Sequence, residues 1–138
     1  MAYELSLRLP SDWTQARDTY EDEFGTSVTH LEATSGSSCI EIHFGAMPED
    51  SSAEDQAFSN YVDMVGFDDE EDFNPISRIK FRGKSAFGFE ALCEDEKVMA
   101  LLTQEIKTGL LVVICVTAPD DEAVQQLLAL VERGLRVS

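Results

Sequence analysis

The stretch LLVVICV, Leu110–Val116, carries no polar side chain at any position. Side chains of a strand alternate between the two faces of a sheet, so a strand apolar throughout needs cover on both sides. The run is far shorter than the ~20 residues a membrane-spanning helix requires. It therefore predicts a central strand in a layered fold.

Partners for that strand are legible along the chain. Residues 97–106 and 110–117 form a hairpin around Lys107-Thr108-Gly109. Residues 76–82 and 86–93 form another around Gly83-Lys84-Ser85, and 27–33 with 39–45 a third around the Ser/Gly segment TSGSS. Residues 3–9 alternate, with Leu5, Leu7 and Leu9 on one face. Three helices are predicted. The first, 13–24, takes Asp12 as N-cap and spaces Trp13, Ala16, Tyr20 and Phe24 helically. The second, 52–65, opens on the capping box Ser51-x-x-Glu54, buries Ala57, Phe58, Tyr61, Val62 and Val65, and stops at Gly66. The third, 121–133, is capped by Asp120 and buries Val124, Leu127, Leu128 and Val131 before Gly134. Strands joined by short hairpins, with helices available to cover them, predict one α+β domain over 1–138. Its architecture is an α/β/α sandwich around a mainly antiparallel sheet of six to seven strands.

Charge narrows the function classes. Acids number 27 against 10 bases, a net charge of −17. Such a polyanion repels nucleic-acid backbones and anionic membrane surfaces, and favours cationic partners or metal ions. The opening MAYELSLRLP has neither the basic region nor the long apolar run of a signal peptide. Cys39, Cys93 and Cys115 form no C-x-x-C spacing and read as buried small hydrophobes in a reducing compartment. A cytoplasmic protein is expected.

The opening strand with its LPSDW step, the run GLLVVICVTAP and the terminal helix ending in GLRV resemble the PsbP/Mog-like superfamily. So does the order of hairpin, helix, antiparallel strands and C-terminal helix. That superfamily includes the extrinsic PsbP subunit of photosystem II, a Ran-binding import factor, bacterial chaperones for secretion effectors and many small bacterial domains. The chain is most similar to the last group. The resemblance carries no catalytic signature. It implies protein binding rather than catalysis, with a protein partner and a monomer or homodimer.

Three clusters remain as candidate sites. GFDDEEDFNP, residues 66–75, lacks the glycine and glutamate positions of a calcium loop, so it reads as a solvated connector. Arg78, Lys80, Arg82 and Lys84 hold four of the ten bases within seven positions. On a regular strand their period of two places them on one face, either paired with Glu90 and the acid loop or free to capture an anionic partner. A three-residue loop at 83–85 would set Phe81 against Phe87 and Arg78 against Glu90. RGKS, 82–85, lacks the first glycine and the strand-to-helix setting of a phosphate-binding loop. Closing the 27–45 hairpin over 35–38 sets His30 across from His43 and Glu32 across from Glu41, with Cβ atoms ~5 Å apart. Two imidazoles and two carboxylates suit zinc or a similar divalent ion. The leading expectation is a non-catalytic adaptor or chaperone-like binding protein without a cofactor. The alternative is a metal-binding protein or metal-dependent enzyme using His30 and His43.

Overall fold

The computed structural model describes residues 5–21, 27–48, 50–64, 76–93, 96–107 and 109–137. Its elements are β1 (Leu5–Leu7), β2 (Thr14–Glu21), β3 (Ser27–Ser35), β4 (Ser38–Ala46), α1 (Ala53–Met64), β5 (Ser77–Phe81), β6 (Lys84–Leu92), β7 (Val98–Lys107), β8 (Leu110–Ala118), α2 (Asp121–Gly134) and β9 (Leu135–Val137). Seven strands form one antiparallel sheet in the order β2-β3-β4-β8-β7-β6-β5, while β1 and β9 pair separately. The all-apolar strand β8 lies at the middle of that order, between β4 and β7. No helix among the described residues is long and apolar enough to cross a membrane.

The two faces of the sheet are covered unequally. On the first, α2 sets Val124, Leu127 and Val131 against Ile40, Ile42, Leu102, Val112, Ile114 and Val116, and the β1–β9 pair adds Leu5, Leu7 and Leu135. Apolar area removed from water contributes about 25 cal/mol per Å², so this face carries most of the stability. On the second face α1 packs over β6 and β7. Tyr61 there meets Phe89 edge-on, ring centroids 5.2 Å apart, beside Met99 and Leu101. Cover of β8 is thus complete on one face only, and Val113 and Cys115 on the other are half-buried.

Both helices start where short polar side chains satisfy free backbone N–H groups. Asp120 Oδ1 accepts from Ala123 N at 2.8 Å. Removing that acceptor in Asp120→Ala should lower stability by about 1 kcal/mol, seen as an earlier urea midpoint with unchanged slope. In α1 the cap falls one residue later than predicted. Ser52 Oγ accepts from Asp55 N at 3.1 Å, and Ser51 Oγ instead accepts from the Gln56 side chain. The buried stripe of α1 is also narrower than predicted. Ala53 and Ala57 are buried, Tyr61 is partly so, and Phe58 and Val62 are exposed. A helix lying over two strands needs only the i, i+4, i+8 row facing down. Val65 and the segment 66–75 lie outside the described residues.

The predicted helix at 13–24 is instead β2, an edge strand whose eight residues are all exposed. Its helical spacing of aromatics is incidental, and Phe24 lies outside the described residues. TQARDTYE has no apolar face for a helix to bury, whereas its backbone pairs along β3 from Thr14↔Thr34 to Glu21↔Ser27. Asp12 caps nothing in this arrangement; its carboxylate accepts from Ser35 Oγ at 3.1 Å.

Candidate metal-binding face

The β3–β4 hairpin holds the register its alternation predicts. Leu31↔Ile42 and Ala33↔Ile40 face the main core, while His30↔His43 and Glu32↔Glu41 face the other side. Ser35↔Ser38 closes the pairing, and Gly36 at φ 58° takes the left-handed turn conformation. Burying Leu31, Ala33, Ile40 and Ile42 fixes the parity, because a one-residue slip would expose all four. The site thus owes its geometry to the core on the opposite face. It lies on the half of its own face that α1 leaves open.

His30 and His43 stack with ring centroids 4.5 Å apart and planes 15° from parallel. His30 Nε2 is buried, has no hydrogen-bond partner among the described residues, and lies 4.0 Å from Glu41 Oε1. Donor atoms of His30, Glu32 and Glu41 all lie within 4.8 Å of one another. His43 does not join that group. Imidazole lone pairs lie in the ring plane, so near-parallel stacked rings direct theirs along parallel planes rather than to one point. Facing histidines were legible in the sequence; their shared use as ligands does not follow from this geometry.

Burial pushes the His43 pKa below the ordinary histidine value; the neighbouring His30 adds to this and Glu41 opposes it. A depressed histidine binds less proton folded than unfolded, so its contribution is complete above the unfolded value of about 6.5 and is lost as pH falls through the folded one. With chelator present, the melting temperature should fall as pH drops below about 6.5, and by less in His43→Gln. Equal falls in both proteins would remove His43 from the account.

Thiols extend the same face, a feature the spacing of cysteines alone could not reveal. Cys115 stands directly across from Glu41 on β8. Its pKa is pushed up to about 12, first by burial and then by Glu41, Cys39 and Cys93. Burial, Glu41 and Glu32 also raise Cys39, against a lowering by Lys97. Cys39 and Cys115 are thus neutral thiols beside the carboxylates, free of disulfides. Their proximity arises from the β4–β8 pairing of residues far apart in sequence.

The basic cluster is divided by its turn. Phe81 pairs with Lys84, Ile79 with Ala86 and Arg78 with Phe87, so the loop is the two residues Arg82-Gly83 rather than 83–85. Both take positive φ, 56° and 78°, the requirement of a tight two-residue hairpin turn. Directly opposed residues share a face, which puts Lys84 with Phe81 and leaves Arg78 and Lys80 on the other side. Glu90, expected opposite Arg78, accepts from Gln125 Nε2 at 3.1 Å instead. Compared with family models, curated proteins and solved structures, the chain matches none.

Proposed function

We propose that this protein binds a divalent transition-metal ion through His30, Glu32 and Glu41. The observation that carries the reading is His30 Nε2, a buried nitrogen without a hydrogen-bond partner among the described residues and 4.0 Å from Glu41 Oε1, on a residue whose donor atom lies within 4.8 Å of those of Glu32 and Glu41. An unsatisfied buried polar atom costs about 1–3 kcal/mol, and a bound cation would relieve it. One imidazole and two carboxylates form a donor set for zinc and its neighbours, while the nitrogen disfavours magnesium or calcium. Zinc holds such donors at about 2.0–2.2 Å, so the group must contract from its present spread. Glu41, 41% exposed, is free to turn inward, whereas His30 at 25% is held by its stacked neighbour. Three protein donors leave further positions to water or an incoming ligand.

A second reading, a protein-binding adaptor, is favoured by the fully exposed edge strand β2, whose outer backbone can receive an extended segment from a partner. The PsbP/Mog-like assignment belongs to that reading and rests on element order. Native mass spectrometry of untagged protein, purified without chelator, separates the two. One metal ion per chain, lost on chelation and from His30→Ala, supports the metal reading. A copurified polypeptide with no metal supports the adaptor, and metal retained by His30→Ala removes the proposed site.

A further inference from the structure

Ten bases among 27 acids should readily find ion-pair partners. Two of the bases, Arg82 and Lys84, line one cavity of about 250 Å³ together with Gln104, Ile106 and Val137. The cavity opens beside the β5–β6 turn, on the face opposite the histidines. Gln104 is almost wholly buried, and its amide is fixed by donation from Nε2 to Phe81 O at 2.7 Å. Lys84 Nζ donates to Ile106 O at 2.9 Å, which anchors the ammonium at the rim and leaves two of its protons free. The nearby carboxylate, Glu132, accepts from the backbone N of Arg82 at 2.8 Å.

Arg82 is also a poor residue for its backbone. It sits at φ 56°, where a non-glycine side chain is disfavoured and where asparagine before glycine is the preferred turn pair. Turn chemistry therefore does not explain an arginine there. Its guanidinium is a planar fork that matches an oxyanion, and Lys84 supplies a second positive charge from across the turn.

We propose that the Arg82–Lys84–Gln104 cavity binds the oxyanion group, carboxylate or phosphate, of a small molecule. Ile106 and Val137 offer an apolar wall for a short hydrocarbon tail, and the volume limits the ligand to a few heavy atoms. The net charge of −17 repels anions at long range. This local pair of cations is what makes a selective, weakly binding site possible.

The test is titration of the full chain with inorganic phosphate and, separately, with butyrate, followed by backbone and side-chain amide NMR. Saturable shifts centred on Arg82, Lys84 and the Gln104 amide are expected with at least one probe. Tighter butyrate binding assigns a carboxylate with an apolar tail, and tighter phosphate binding assigns a phosphate. Lys84→Met should weaken binding by about tenfold with the fold intact. Arg82→Asn creates the preferred Asn-Gly turn, so it should weaken binding comparably while holding or raising the melting temperature. An arginine kept for structure would show the reverse, a lower melting temperature with binding unchanged. That result, or the absence of saturable shifts up to about 50 mM of either probe, overturns the proposal.

Discussion

Zinc at about a hundred times its dissociation constant should stabilise the metal-free protein by about 2.7 kcal/mol, raising the melting temperature by about 8 °C for a domain of this size. Magnesium at the same concentration should leave it unchanged, because a hard cation gains little from an imidazole. The variants rank the ligands. His30→Ala should abolish the shift, since it removes the only nitrogen in the donor group. Glu32→Gln and Glu41→Gln should each weaken zinc binding by tenfold or more while leaving the metal-free protein close to wild-type stability. His43→Ala should retain most of the affinity, its ring being stacked on His30 and outside the donor group. This last variant separates the structural ligand set from the paired-histidine set that the sequence suggests. Zinc binding lost equally in His43→Ala and His30→Ala would restore the paired set. An unshifted wild-type protein would remove the metal reading altogether.

That the donor group was partly legible in the sequence has a specific cause. Leu31, Ala33, Ile40 and Ile42 alternate with His30, Glu32, Glu41 and His43, and a short Ser/Gly turn leaves one register that buries the first set. Local pairing and burial agree there. On β5–β6 they did not. Ile79 and Phe81 suggested a face to match with Phe87 and Phe89, but the turn is set by Arg82-Gly83, and Ile79 remains 40% exposed. Arginine gives no turn signal, so nothing in the string announced the two-residue loop. The β2 error is of another kind. Its residues bury nothing, so neither period is enforced by a core, and tertiary pairing with β3 decided the outcome. The thiols beside Glu41 depend on β4 meeting β8, a choice among strand orders that hairpin reasoning does not reach. Helix α2 needed none of this for its cap, Asp120, or for the buried Val124, Leu127 and Val131. Leu128, however, is only partly buried, and Gly134, expected to close the helix in the left-handed conformation, stays helical and is followed by an extended Leu135.

Gly88→Ala should destabilise the protein by about 3 kcal/mol, or prevent folding, although the substitution adds a single methyl group. Gly88 is buried on β6, across from Leu102 on β7. A Cβ built there would run into the Leu101 carbonyl oxygen and the Leu102 Cδ2 atom. The leucine side chain could move aside, but the carbonyl belongs to β7, which is held between β6 and β8. Relieving the overlap therefore requires displacing a central strand, and a close-packed interior resists that. Gly36→Ala provides the contrast. Nothing lies within 4 Å of its added Cβ, and the strain comes only from φ 58°. A left-handed alanine costs roughly 1–2 kcal/mol and disturbs no neighbour. The two substitutions should thus differ in kind as well as size: Gly36→Ala keeps native amide shifts on β6 and β7, and Gly88→Ala perturbs both strands. Denaturant melts of the pair decide it, and a Gly88→Ala protein within about 0.5 kcal/mol of wild type would show that β6 and β7 do not approach this closely. The same close approach bears on the surface above. Gly88 forms part of a 340 Å³ cleft with Ile79, Leu102, Gln125 and Leu128, so the methyl group that strains the sheet also projects toward the space between β5 and α2.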